Sequence, residues 1–365
     1  MPFSSVGAPK SSLDTPALIV DLDRLESNIA AIAGACRAAG IAWRPHIKAV
    51  KIPAIAHKTL AAGAIGVTCA KLAEAEIMAA AGIRDILLGN QIVPPQKIAR
   101  LVRLRRHADV IVAVDDPLNV DALGAAAAAA GVRLRVVVEM DIGIRRAGVR
   151  DPAAALALAK HVAGHASLDF CGFMGWEGHA TGLTDLDAKQ RAVTEAVGTI
   201  LAAAKACREA GLDVRIVSCG GTGTLHQTLR VPGVTEIEAG GGMFSDMRYT
   251  TKLGLDLPPS LTVLTGVVSR PLPTRIICDG GRKSISGDYA MPHPLGLGRI
   301  AEIRLSAEHT SIDLEQPSAT PRLGEHVEFV VGYSDTTTHL HDVMYGVRDG
   351  IVEVEWPLLT RGKTS

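Results

Sequence analysis

The sequence has few aromatic residues and no excess of charge of either sign. Aromatic side chains make up 3% of the 365 residues, although 47% are hydrophobic, so the core has to be built from Ala, Val, Leu and Ile. Lys and Arg together number 38, as do Asp and Glu, which leaves no basic surplus to neutralise a nucleic-acid backbone or an anionic membrane. We therefore expect an α/β protein without a nucleic-acid or membrane partner.

Paired cysteines and long apolar runs are also lacking. The six cysteines stand singly, without CxxC spacing, and most lie in apolar runs where a reduced thiol behaves as a small hydrophobe. No run of 18 or more apolar residues occurs, and residues 1–12 contain no apolar stretch of signal-peptide length. These absences predict a cytoplasmic protein.

Short runs rich in Val and Ile alternate with alanine-rich helical patterns from residue 42 onward. Eight such runs occur: IAWRPHI, IGVTCA, DILLGN, DVIVAV, RLRVVVEM, LDFCGFMGW, DVRIVSCG and VTEIEAG. Most are separated by apolar residues at helical spacing with a closing glycine. Eight repeats of strand and helix predict a closed parallel (β/α)8 barrel, in which the last helix is the least regular.

The two ends of the chain do not follow this alternation. Ala17–Leu22 would be a ninth strand, and after residue 258 short strand-like runs are separated by Pro, Gly and Asp turns. We predict a barrel over residues 23–257 and a β-rich domain over residues 258–365. Residues 1–22 are expected to lie outside the barrel.

Polar residues cluster after the predicted barrel strands, where barrel enzymes carry their chemistry. Lys48 ends the first strand, and an amine in a partly desolvated pocket can form a Schiff base with an aldehyde. A solvated lysine at a strand end is the alternative, and Lys51 competes for the role. The loops after strands seven and eight are rich in glycine, comprising Gly220–Thr224 and Gly240–Gly242.

Those two loops occupy the position at which barrels commonly bind phosphate through backbone N–H groups. Each glycine cluster alone is more typical of a tight turn. A phosphate site opposite Lys48 indicates a phosphorylated aldehyde, and pyridoxal phosphate is that cofactor.

A third polar cluster lies in the predicted β-rich domain. The segment from Tyr333 to Asp342 holds two His and two Asp within ten residues. Asp335 and His341 are therefore candidate ligands for a divalent cation, expected to be Mg²⁺, Mn²⁺ or Ca²⁺. A polar turn between strands is the alternative reading.

Over nearly its whole length the sequence resembles the family of D-threonine aldolase, 3-hydroxy-D-aspartate aldolase and D-serine dehydratase, which has the alanine racemase-like barrel. The motifs that carry the resemblance are, in order, DTPALIVDLD, RPHIKAVK, EMDIGIRRAGV, SCGGTGT, EIEAGGGMFSD, ICDGGRK and the closing HLHDVMYGVRDGIVEVEWPLLTRGK. The resemblance implies a homodimer and a pyridoxal-phosphate enzyme of small amino-acid substrates. It also implies that the N-terminal strand joins the C-terminal β domain.

The resemblance assigns roles to individual residues. It implies that Lys48 carries the cofactor, that Arg146 lies near the cofactor ring, and that both glycine loops hold the phosphate. The phosphate residues are Gly221, Thr222, Gly223, Thr224, Gly240 and Gly241. The catalytic candidates are Lys48, Glu177 and His46, and the substrate-contacting candidates are Trp176, His179 and Tyr333.

Three positions depart from the family pattern around the substrate's β-carbon. Aldolases of this family usually have a metal-binding His two residues before the Asp that aligns with Asp335, and this chain has Tyr333. The usual His after the sixth strand is Glu177, and a Gln after the second strand is Ala70. The cofactor half of the site is retained, whereas the metal and base half is rebuilt.

Retro-aldol cleavage of a D-configured β-hydroxy amino acid to glycine and an aldehyde is the first functional expectation. Glu177, or a metal-bound water near Asp335, would then take the β-hydroxyl proton. The alternatives are dehydration to a keto acid and ammonia, amino-acid racemisation, and a non-catalytic pyridoxal-phosphate-binding protein. The sequence leaves open the substrate's side chain and the identity of the metal.

Overall fold

The computed structural model describes residues 4–365, which divide into two compact units. The barrel unit comprises Ala30–Lys48, Pro53–Gly240 and Lys363–Ser365. The β unit comprises Met1–Ile29, as far as it is described, with Ala49–Ile52 and Gly241–Gly362. The domain boundaries expected after residues 22 and 257 stay a prediction.

Strands and helices are numbered in chain order. The strands are β1 (Ala17–Asp21), β2 (Ala42–Trp43), β3 (Val67–Cys69), β4 (Asp85–Gln91), β5 (Asp109–Val114), β6 (Leu134–Glu139), β7 (Leu168–Met174), β8 (Ile216–Cys219), β9 (Glu236–Ile237), β10 (Leu261–Leu272), β11 (Arg275–Cys278), β12 (His293–Pro294), β13 (Ile300–Leu305), β14 (Thr310–Leu314), β15 (His326–Val330), β16 (Val343–Arg348) and β17 (Ile351–Pro357). The helices are α1 (Leu22–Ala38), α2 (Pro53–Ala61), α3 (Leu72–Ala80), α4 (Pro95–Leu104), α5 (Pro117–Ala129), α6 (Pro152–Ala163), α7 (Leu186–Glu209), α8 (Leu225–Thr228) and α9 (Ser334–Thr338).

The barrel unit is built on eight parallel strands in the order β2-β9-β8-β7-β6-β5-β4-β3. His46, just beyond β2, bridges Thr68 of β3 and closes the sheet. The interior is filled by aliphatic and sulfur-containing side chains from five strands, namely Leu87, Ile111, Ala113, Val137, Cys171, Met174 and Ile216. All eight predicted strand runs are confirmed, and α8, after the irregular interval, spans only four residues.

Local signals place the barrel helices. Asp116 and Asp151 cap α5 and α6, accepting hydrogen bonds at 2.8 Å from the backbone N–H groups of Leu118 and Ala154. Proline occupies the first turn of both helices, where its missing N–H costs nothing. Gly131, after α5, has φ +65°, a left-handed conformation that ends the helix without strain on a side chain.

The β unit contains a nine-stranded sheet whose main path is β13-β14-β11-β10-β1-β16-β17. In that sheet β1 pairs antiparallel with β10 and parallel with β16. The strand left over from the barrel pattern is thus a central strand of this sheet. Together the two units confirm the alanine racemase-like barrel with a C-terminal β-rich domain. Across residues 4–365, every helix is too short or too polar to cross a membrane.

Candidate active site

The indole ring of Trp176 brings together side chains from three barrel strands. Trp176 follows β7, and the Lys48 Nζ atom, just after β2, lies 5.6 Å from the ring centroid. The Arg146 guanidinium carbon, in the loop after β6, also lies 5.6 Å from that centroid. The carboxyl ends of parallel barrel strands share one rim, so residues about 130 positions apart meet there.

The loop carrying Arg146 is held by acidic side chains. The Asp141 carboxylate accepts hydrogen bonds from the backbone N–H groups of Gly143, at 3.1 Å, and Arg145, at 2.9 Å. Below the loop, the Glu139 Oε1 atom lies 3.9 Å from the Arg146 guanidinium, and Oε2 accepts a 2.6 Å hydrogen bond from Gln91. Burial raises the pKa of Glu139, and the sequence analysis did not single this residue out.

The structure corrects the expectation that Glu177 faces the substrate as a general base. Its side chain has no solvent exposure. One carboxylate oxygen accepts the hydroxyls of Thr224, at 2.7 Å, and Thr228, and the other accepts the backbone N–H of Gly220 at 3.1 Å. Glu177 therefore holds the first glycine loop and the helix α8 that follows it, because its carboxylate accepts hydrogen bonds from Gly220, Thr224 and Thr228.

A buried lysine holds the same loop from another side. Lys189, on α7, is 3% exposed, and its ammonium donates a hydrogen bond to the Gly223 carbonyl at 3.3 Å. Burial lowers the pKa of Lys189. Sequence reasoning missed this residue, and the only available signal was a lysine on the apolar face of an amphipathic helix.

The glycine loops require glycine for space as well as for backbone conformation. A Cβ atom on Gly221 would lie 2.9 Å from the Trp176 indole nitrogen, and one on Gly240 would overlap the His46 carbonyl. Gly220 has φ +81°, and Thr222–Thr224 forms a 3-10 turn. This tight turn packs its backbone directly against the indole ring.

His46 and His179 occupy different environments. The Lys48 backbone N–H donates to His46 Nδ1 at 3.3 Å, which couples the half-buried imidazole to the lysine segment. His179 is exposed, and a Cβ on Gly143 would lie 2.5 Å from its ring. Both histidines lie on loops that follow barrel strands, and their roles stay predictions.

Tyr333 and Asp335 lie in the β unit. The buried Tyr333 hydroxyl is hydrogen-bonded to Asp335, and burial together with that carboxylate raises its pKa, so the phenol stays protonated. The Arg248 guanidinium lies 4.8 Å from the Tyr333 ring centroid and 4.2 Å from that of Tyr289. Gly241 lies in the same unit, and a Cβ atom on Gly241 would lie 2.2 Å from the hydroxyl oxygen of Tyr249.

These residues do not fit the divalent metal that the family resemblance implies. The protonated Tyr333 phenol is a poor metal ligand, and it is hydrogen-bonded to the carboxylate of Asp335. His341 bonds the Ser284 carbonyl through Nε2 at 2.8 Å. Within residues 4–365, neither Asp335 nor His341 belongs to a group of three potential ligands.

The barrel residues do fit pyridoxal phosphate. A lysine amine and an arginine guanidinium flank one aromatic ring, and a glycine turn without room for a Cβ adjoins the same ring. An amine that condenses with an aldehyde, a cation beside the ring and bare backbone N–H groups are the donors such a cofactor needs. Fold and donor set are therefore suited to a phosphorylated aldehyde cofactor.

Comparison with known proteins places the chain in a family. The alanine racemase N-terminal domain model matches residues 20–247, and the serine dehydratase domain model matches residues 260–347. The chain belongs to the D-threonine aldolase and D-serine dehydratase family of alanine racemase-like enzymes, which confirms the resemblance seen in its motifs.

Three full-length relatives are similar to this chain. D-threonine aldolase of Arthrobacter sp is 34% identical over 364 residues, covering 99% of this chain and 96% of that protein. The 3-hydroxy-D-aspartate aldolase of Paracoccus denitrificans (strain Pd 1222) is 32% identical, covering 98% and 94%. The crystal structure of D-threonine aldolase from Filomicrobium marinum superposes with a TM-score of 0.94 at 33% identity, covering 99% of this chain and 100% of that one.

Proposed function

We propose that this protein is a pyridoxal-phosphate-dependent lyase that cleaves a D-configured β-hydroxy amino acid to glycine and an aldehyde. The observation that carries the proposal is full-length similarity to two aldolases, with at least 98% of this chain aligned. The arrangement of Lys48 and Arg146 around Trp176 supports it, because it retains the cofactor half of such a site.

Each barrel residue has a proposed task in holding the cofactor. Lys48 would hold the aldehyde carbon, Arg146 would lie beside the ring, and the Gly221–Thr224 and Gly240 backbone would hold the phosphate. When bound, pyridoxal phosphate supplies an electron sink for the electron pair of the bond that breaks. Glu177 and Lys189 would keep the first glycine loop in its binding conformation.

His46 is the proposed proton-handling side chain on the barrel rim. Its Nδ1 atom accepts the Lys48 backbone N–H, so the neutral ring carries its proton on Nε2. A proton placed there can be donated to a hydroxyl that leaves in a dehydration, whereas aldol cleavage needs a base for the β-hydroxyl proton, which Nε2 could accept only in the other tautomer. No step is assigned to a metal at Asp335, because its neighbours do not form a ligand set.

Dehydration to a keto acid and ammonia is the second candidate. The match of residues 260–347 to the serine dehydratase domain model favours it specifically. Dehydration and aldol cleavage start from the same β-hydroxy substrates, but only cleavage releases glycine.

A product assay separates the candidates. We expect the holoenzyme to release glycine and an aldehyde from D-threonine or 3-hydroxy-D-aspartate and to leave L-threonine intact, with Lys48→Arg as the inactive control. Keto acid and ammonia in place of glycine would establish the dehydratase, and interconversion of D and L substrate would establish a racemase. The absence of any product across the panel would favour a non-catalytic binding protein.

We also propose a homodimer in the cytoplasm. The family resemblance supports the dimer. All six cysteines are free thiols, which agrees with a reducing compartment.

A further inference from the structure

Two histidines and an aspartate converge on the outer helices of the barrel unit. The Asp121 Oδ1 atom, on α5, accepts hydrogen bonds from His161 Nε2 at 2.7 Å and from His165 Nε2 at 3.0 Å. Within residues 4–365, this is the one group of three potential metal ligands whose donor atoms all lie within 4.8 Å of one another.

The end of α6 determines where both imidazoles point. His161 lies in the last turn of α6, and the chain makes one further turn, with the His165 N–H bonded to the Val162 carbonyl at 3.1 Å. A spacing of four residues therefore still places both side chains on one face. The two rings meet edge to face with centroids 5.4 Å apart.

A glycine in α5 makes room for one of these rings. Gly124 stands inside a helix otherwise rich in alanine, where glycine costs about 1 kcal/mol relative to alanine. A Cβ at Gly124 would lie 2.6 Å from His165 Nδ1 and 3.0 Å from Cγ of the same ring. The missing side chain thus admits the imidazole to the surface of α5, beside Asp121.

We propose that His161, His165 and Asp121 bind a Zn²⁺ ion. Two imidazole nitrogens and a carboxylate oxygen are a common zinc ligand set, with metal–ligand distances of about 2.0–2.2 Å. In a tetrahedron those distances separate the ligand atoms by roughly 3.3 Å. The two contacts to Asp121, at 2.7 and 3.0 Å, would therefore open by roughly 0.3–0.6 Å. Each histidine would bind through Nε2 and give up the proton that now bonds Asp121.

The three proposed ligands are exposed enough for Zn²⁺ to replace the protons of the two histidines. The side chains of Asp121, His161 and His165 are 51%, 40% and 28% exposed, so an ion can enter and water can complete the tetrahedron. The ion would join α5 to the end of α6 on the outside of the barrel. Its role is therefore to stabilise the barrel, separately from the cofactor chemistry.

Calorimetric titration of the holoenzyme with Zn²⁺ tests the proposal. We expect His161→Ala and Asp121→Asn each to bind one Zn²⁺ fewer per chain than the wild type. Zn²⁺ should also raise the thermal unfolding midpoint of the wild type, and this rise should be lost in both variants. Mg²⁺ should give neither effect, because it prefers oxygen ligands.

Matched variants distinguish this site from other binding. His107→Ala removes an exposed histidine elsewhere on the barrel and should keep the full Zn²⁺ stoichiometry, as should Asp335→Asn. Gly124→Ala leaves all three ligands in place but displaces the His165 ring, so Zn²⁺ affinity should fall. An unchanged Zn²⁺ stoichiometry in both His161→Ala and Asp121→Asn would overturn the proposal.

Discussion

Lys48 is the residue on which the proposed chemistry depends, and Lys51 is its nearest competitor along the chain. We expect borohydride treatment of the holoenzyme to attach the pyridoxyl group to Lys48, because this amine lies 5.6 Å from the Trp176 ring centroid beside the glycine turn. Peptide mass spectrometry would locate the adduct. Lys48→Arg should lose the adduct and reduce turnover by roughly 10²-fold or more.

Lys51→Arg is the matched control for that experiment. Lys51 lies in the β unit, with φ +58°, and its carbonyl accepts a hydrogen bond from the Thr360 hydroxyl. This variant should keep the adduct on Lys48. A pyridoxyl group on Lys51 in the wild type would show that the cofactor site is misassigned.

Glu177 provides a second test at the residue scale. Glu177→Gln replaces one carboxylate oxygen by an amide nitrogen, which cannot accept a hydrogen bond. Either the bond from the Gly220 N–H or the bonds from the two threonine hydroxyls are then lost. The loss of one such bond is worth about 1–3 kcal/mol, so cofactor affinity should fall roughly tenfold or more. At saturating cofactor, turnover should return close to the wild-type rate.

Two quantities are measured: the dissociation constant of pyridoxal phosphate and the turnover rate at saturating cofactor. Glu209→Gln, on the exposed end of α7, should change neither quantity. A hundredfold loss of rate at unchanged cofactor affinity would instead identify Glu177 as the general base.

At the scale of the elements, a buried charge cluster ties barrel strands together. Arg44, following β2, bonds Glu236 of β9 at 3.0 Å and Asp85 of β4 at 2.5 Å. Glu238 lies two residues after Glu236, and burial raises its pKa to about 7. The nearby charge of Glu236 also raises this pKa, whereas the hydrogen bond from the Ser218 hydroxyl, at 2.8 Å, lowers it. Folding therefore favours the protonated form of Glu238.

This cluster predicts a pH dependence of stability. A carboxyl whose pKa is raised in the folded state stabilises the fold at low pH and loses that contribution as the pH rises from about 4.5 through about 7. The full difference corresponds to at most roughly 3 kcal/mol. Urea unfolding at pH 5 and pH 8 should show Glu238→Gln, which cannot ionise, losing less stability than the wild type. Glu195→Gln on α7 should follow the wild type, and equal pH slopes in all three proteins would contradict the prediction.

At the scale of the whole molecule, we expect a homodimer in solution. A barrel rim open to water would expose the reacting atoms to side reactions, and a partner subunit can exclude that water. Light scattering on the eluting holoenzyme should give twice the 38.2 kDa of one chain. A fully active monomer at micromolar concentration would refute the prediction.

Hydrophobic patterning made most of the fold predictable. The eight Val- and Ile-rich runs became β2–β9 because strands buried on both faces need continuous apolar sequence. Lys48 was predictable because it follows a barrel strand, whereas the roles of Arg146 and Trp176 were expected from the family resemblance. Hydrophobic patterning could not predict the hydrogen-bond partners of a side chain, because those partners depend on the path of the loop that follows each strand.

The sequence by itself determined the barrel, the β-rich second domain and the cofactor-binding candidates, because periodicity, closing glycines and strand-end motifs are local properties of the chain. Only the tertiary structure decided that Glu177 holds a loop, since its donors lie 43 to 51 residues away. The meeting of Asp121 with His161 and His165, 40 and 44 residues apart, was decided in the same way. Contacts between distant segments arise from packing, and no local pattern encodes them.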